Sequence, residues 1–126
     1  MNIKALLGTA IVSGVTGFLL NTYLFTPTLS ADAVAAAAAA AMVPAYAMWA
    51  VTSVINAFVI SWVTGMTGNG VKSGLVIAVS QIVLVDVFYV LDGRRALATA
   101  AASAVLLLVV CVASGYTYGK LSASKA

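Results

Sequence analysis

The chain has 126 residues, 63% of them hydrophobic and only 7% charged, with a mean hydropathy of +1.14 and a net charge of +3. A soluble domain is about 25% charged, and a small water-soluble fold leaves too much surface exposed to hide this much apolar residue. The composition therefore excludes a soluble globule and implies one integral membrane domain over residues 1–126. There is no histidine and no glutamate, and Cys111 is the single cysteine. The usual metal ligands and proton shuttle are thus largely missing, an internal disulfide is impossible, and no cofactor is expected. Six basic residues in small groups suit membrane flanks better than a nucleic-acid surface.

Spanning a bilayer takes about 20 mostly apolar residues. The first such run covers about 5–25, behind Lys4, and Thr26-Pro27-Thr28 should end it, because proline disfavours the helical conformation in its predecessor. A signal peptide is the alternative there, but Asn21 to Ala33 is long for the region before a cleavage site, so a retained span is expected. Ser30 or Thr28 can then cap a new helix with Asp32 in its first turn and alanines through Ala41. An unbroken helix from Ser30 to Thr64 would be about 52 Å long, against a hydrocarbon core of about 30 Å. Either Pro44 marks a break, with Ala31–Met42 at the interface, or the alanines are the first turns of one long tilted helix.

The second span is expected at 44–64, the third at 71–91 and the fourth at 96–118, joined by Gly65-Met-Thr-Gly-Asn-Gly70 and by Asp92-Gly93. Such short connections predict an all-α, four-transmembrane-helix bundle of antiparallel up-down topology, with the 31–42 segment between helices 1 and 2 as an interfacial addition. Both termini and the 65–72 turn then share one side, with Lys4, Lys72, Lys120 and Lys125, against Arg94 and Arg95 on the other. The excess of lysine places the termini in the cytoplasm, in a bacterial inner membrane. Trp62, Tyr23, Tyr116 and Tyr118 fall near span ends, where aromatic belts belong.

Small residues recur every four positions: Thr9, Ser13, Gly17 and Asn21 in the first span, Ser53, Ala57, Ser61 and Gly65 in the second, Cys111, Gly115 and Gly119 in the fourth. Such stripes serve tight helix packing in lipid, and packing is the expected role. Larger polar groups sort by depth. Asp86, about 7 Å below the Leu91 end, could share a layer with Asn21, Trp49, Thr99 and Ser103. Asn56 and Gln81 match at the midplane and are expected to hydrogen-bond, or at least to share one helix contact, since either one alone in hydrocarbon costs several kcal/mol. An acid inside a span is a functional-site candidate. Its structural alternative is a carboxyl fixing helix register through Asn21, Thr99 or Ser103. Lys72 is about 21 Å away along the axis and Arg94 lies off the face, so neutral partners and a retained proton are expected for Asp86. Asp92 should cap the fourth span, while Arg94 and Arg95 suit phosphate headgroups.

The end of the first span, Tyr23-Leu-Phe-Thr-Pro27, and the end of the third, Tyr89-Val-Leu-Asp-Gly-Arg94, resemble a family of small four-span bacterial membrane proteins of unknown function. That resemblance implies the topology and carries no activity. Small multidrug-resistance transporters share the length and span count, but their first helix holds a membrane glutamate and this one has no acid. No nucleophile–base pair, metal cluster or phosphate loop points to an enzyme. The expected partners are the lipid bilayer and other membrane subunits or further copies of this chain. The expected function is that of an accessory or interaction subunit, with a small proton- or cation-coupled transporter using Asp86 as the alternative.

Overall fold

A computed structural model describes residues 2–123, so Lys125 lies outside the described residues. Five helices follow in chain order: α1 (Ile3–Thr28), α2 (Ala31–Ala40), α3 (Ala45–Thr67), α4 (Gly70–Leu91) and α5 (Leu97–Ala123). No strand occurs among the described residues. All but α2 are long and apolar enough to cross a membrane, and the protein is an all-α bundle of four such helices. Around the bundle α1 packs on α3 and α5, and α4 packs on α3 and α5, with a diagonal contact between α3 and α5.

Helix boundaries follow local chemistry. Asn2 caps α1 by accepting from the Ala5 N–H at 3.1 Å, and Asn69 caps α4 by accepting from the Lys72 N–H at 2.9 Å. Gly68 ends α3 at φ +72°, a left-handed turn that suits glycine. Pro44 precedes the first helical residue of α3, and a non-helical stretch, extended at Ala41 and bent at Met42 and Val43, separates α2 from it. The two readings of the alanine segment are thereby resolved: α2 is its own short helix, not the start of a longer one.

The proline in α1 behaves differently from expectation. Thr26, just before Pro27, stays helical at φ −56° and ψ −40°. The helix widens to a π turn over Asn21–Phe25, tightens to a 3-10 turn over Thr26–Thr28, and ends only at Leu29. Proline has no N–H to offer and its ring crowds a preceding carbonyl. The Thr26 N–H bonding back to Asn21 O shifts the ladder and accommodates the ring. A second π turn, Ile82–Val87, interrupts α4 in a run rich in β-branched residues, which crowd an ordinary helical turn.

The tightest packing joins α4 to α5. A Cβ placed on Gly70 would overlap the Gly115 carbonyl, one on Gly74 the Cys111 carbonyl, and one on Gly115 the Gly70 carbonyl. Backbones this close need residues without side chains, and in lipid such approach is itself a main source of helix association. The stripe Cys111, Gly115, Gly119 is therefore used as expected, and its counterpart on α4 is Gly70 and Gly74. Gly17 of α1 receives the Trp49 ring, whose Cζ3 would lie 2.8 Å from an added Cβ. Gly65 has open space around it and takes no part in a crossing. Tyr118 also departs from expectation. It is buried and hydrogen-bonded to Ser61 at 2.8 Å, while Tyr23, Trp62 and Tyr116 are exposed.

Candidate functional site

Two polar constellations lie within the bundle. The first is at the end formed by the α4–α5 turn. Gly93, at φ +79°, folds the chain back so that the N–H groups of Arg94 and Arg95 both donate to Tyr89 O, at 2.9 and 3.1 Å. This reversal sends the two arginines in opposite directions. Arg94 stays exposed and pairs with Asp92 at 2.6 Å, its guanidinium 4.7 Å above the Tyr89 ring. Arg95 turns inward and its Nη1 donates to Oδ1 of Asp86. The Arg95 guanidinium also lies 5.6 Å from the Phe25 ring and 5.1 Å from the Tyr89 ring, within cation–π range of both.

Asp86 is thus an ion-pair partner, which corrects the expectation of neutral partners. Only 2% of the residue is exposed. Neither Asn21, Thr99 nor Ser103 reaches it. Asn21 donates to Thr26 Oγ1 at 3.4 Å, Thr99 donates to Thr28 O at 3.3 Å, and Ser103 makes no hydrogen bond among the described residues. Thr99 instead ties α5 to the end of α1. The expected layer does not close on itself: Asp86, Asn21 and Thr99 each bond to a separate partner. Arg95 is likewise turned away from the surface expected for a headgroup contact, while Arg94 stays exposed. Asp92 accepts from the Arg94 N–H at 3.2 Å and does not cap α5. The Arg94 side-chain hydrogen bond holds the Asp92 carboxyl below its ordinary value and pushes the Arg94 guanidinium up.

Taking both charges of the Asp86–Arg95 pair out of water is expensive, and the mutual attraction offsets that cost only in good geometry. The widened turn at Ile82–Val87 aims the carboxylate toward Arg95 across a helical end that an ordinary turn would present differently. Oδ2 of Asp86 is enclosed with no hydrogen-bond partner among the described residues.

The second constellation is at mid-depth. Asn56 Nδ2 donates to Ser13 Oγ at 2.8 Å and lies 3.5 Å from Ser114 Oγ, joining α3 to α1 and α5. The expected Asn56–Gln81 hydrogen bond is absent: α3 turns Asn56 toward α1 and α5, not toward α4. Gln81 is exposed and its amide makes no hydrogen bond among the described residues. Both amides nevertheless line one groove of about 270 Å³, together with Trp49, Thr52 and Ser53. Near the Gly68 turn α3 and α4 are held together by Thr64 on Ser73 at 3.1 Å and Thr67 with Ser73 at 2.6 Å. Farther from that turn the groove is lined by α1, α3 and α5, with Gln81 contributed by α4.

Sequence reasoning found Asp86, Asn56 and Gln81 as polar groups but missed Ser13, Ser114 and Arg95 as partners. Ser13 was visible only as a packing residue. Arg95 could have been preferred to Arg94 had Gly93 been read as a left-handed reversal that changes which side chain faces inward. No family model matches the chain, and neither a curated protein nor a solved structure shows significant similarity to it.

Proposed function

We infer that this is a small, non-enzymatic interaction protein of the membrane, an accessory subunit or self-assembling component, with α2 as its docking element. The observation that carries this reading is that every residue of α2 is exposed and no described element packs on it beyond marginal contact. An isolated helix shorter than about 12–15 residues is marginal in water even when rich in alanine. Its ten residues need an external surface to hold them helical. Alanine side chains permit close approach of a partner helix, and apart from Asp32 they carry no charge that would prevent it.

The test replaces residues 31–40 by a glycine-serine segment of equal length and compares mild-detergent pull-downs by mass spectrometry. The expected result is an intact bundle, by circular dichroism, that has lost its co-purifying chain or its self-association. Identical partners with and without α2 would remove the basis of this reading.

A small proton- or cation-coupled carrier using Asp86 is the second reading, favoured by the unpartnered Oδ2. Arg95 already occupies the other oxygen, which ranks the carrier second. Loss of coupled uptake in Asp86→Asn, with assembly intact, would reverse that order. The proposed location is a bacterial inner membrane with cytoplasmic termini. Support comes from Lys4, Lys72 and Lys120, which form no ion pair among the described residues, whereas both arginines on the other side are paired with aspartates.

A further inference from the structure

The groove that α1, α3 and α5 form with Gln81 of α4 combines features that packing alone does not explain. It lies at the middle of α4, far from either end of the span, and its rim includes Thr52, Ile55 and Gln81, all exposed. Its unused hydrogen-bonding capacity is specific. Asn56 spends its N–H groups on Ser13 and Ser114, while its carbonyl oxygen accepts no hydrogen bond among the described residues. Gln81 leaves both its carbonyl and its NH2 unused among those residues. Thr52 and Ser53 donate to carbonyls of their own helix, at 2.9 Å to Met48 O and 3.0 Å to Ala50 O. In hydrocarbon, unspent amide groups are costly, and a molecule that engages them is bound by that difference.

We propose that this groove binds a neutral, lipid-soluble molecule carrying a hydroxyl on an apolar body, which enters sideways from the bilayer. A hydroxyl both donates and accepts, so it can give its hydrogen to the Asn56 carbonyl and take one from the Gln81 amide. No charged residue lines the groove, so a charged ligand would lose its hydration with no compensation. The volume of about 270 Å³ sits just below the usual range of ligand pockets, about 300–1,000 Å³. It therefore holds the hydroxyl-bearing head of the ligand, and any longer tail lies along the lipid-facing helices. The Trp49 ring forms part of the wall and reports occupancy.

The chain has two tryptophans, so Trp62→Phe leaves Trp49 as the only one. The full chain with this change is reconstituted in phosphatidylcholine vesicles and titrated with para-bromophenethyl alcohol, whose bromine quenches indole fluorescence on contact. The control is para-bromoethylbenzene, which lacks the hydroxyl. Saturable quenching by the alcohol is expected, against linear quenching by the hydrocarbon. Gln81→Leu, at an exposed position that leaves the bundle intact, should weaken the alcohol about ten-fold, the equivalent of one membrane hydrogen bond. Trp49→Phe, which leaves Trp62 to report simple partition, should show only linear quenching with both. Equal linear quenching of Trp49 by the two probes would overturn the proposal. So would saturable quenching that survives Gln81→Leu unchanged. Absence of quenching together with disulfide cross-linking of Gln81→Cys to its own copy would assign the groove to a second protomer instead. Loss of α2 should leave the titration unchanged, so failure here is separate from failure of the docking role of α2.

Discussion

At the Gly68 end of the bundle the helices are held by absence of side chain. Gly70, Gly74 and Gly115 bring two backbones into contact, and hydroxyls of Thr64, Thr67 and Ser73 close the gap between α3 and α4. At the Asp92 end the helices are held by charge. Two π turns widen α1 and α4, and the chain doubles back to place Arg95 on Asp86. One end relies on several small contacts. The other concentrates its specificity in a single buried pair, and it is also where α2 departs from a closed bundle, while the groove opens between the two ends. Polar residues in a membrane protein of this size thus do two separable jobs.

The comparison breaks most sharply at the charged end. Arg95→Met leaves the Asp86 carboxylate buried and alone, and should cost about 3–5 kcal/mol, whereas Asp86→Leu with Arg95→Met should recover most of that loss. Thermal unfolding in mild detergent measures both, and a double variant as unstable as the single one would show that the pair does more than satisfy itself. At the packed end, Gly74→Val forces α4 from α5 and should cost toward the upper end of about 1–3 kcal/mol, while Gly65→Ala, in open space, should gain up to about 1 kcal/mol.

Smaller effects separate the two mid-depth amides. Asn56→Leu removes a three-helix hydrogen-bond centre and should cost about 1–2 kcal/mol, whereas Gln81→Leu should be neutral or stabilising in detergent. Equal losses would mean that Gln81 has a partner inside the bundle. The smallest effect is at Asp92. Its carboxyl is held low by Arg94, so its contribution is present above the ordinary carboxylate range and fades as pH falls through the depressed value. Because the pair is exposed, Asp92→Asn should leave the melting temperature unchanged and only loosen the turn, seen as faster exchange of the Arg94 amide.

Most of the architecture was legible in the residues. Hydropathy located four spans to within a few residues, and proline at 44 marked the break that makes α2 separate. What could not be read depends on rotation. Moving a side chain from one helix face to another needs only a residue or two of shift, so a π turn changes which groups meet while leaving the hydropathy profile untouched. Asn56 and Gln81 matched in depth, but depth carries no information about facing. Arg95 replaced Arg94 for the same reason, through the left-handed residue between them and Asp86. The site was visible as a set of unusual residues and invisible as a set of pairs.

The α4–α5 crossing also supplies a reporter. The only cysteine in the sequence sits there, its carbonyl against Gly74, and Cys111 also lines the groove that holds Asn56 and Gln81. With 3% of its surface exposed, Cys111 meets a membrane-permeant thiol reagent by way of that groove. The labelling rate in native membranes therefore reads access to the groove, and a molecule seated there should slow it, with no engineered label and no denaturant.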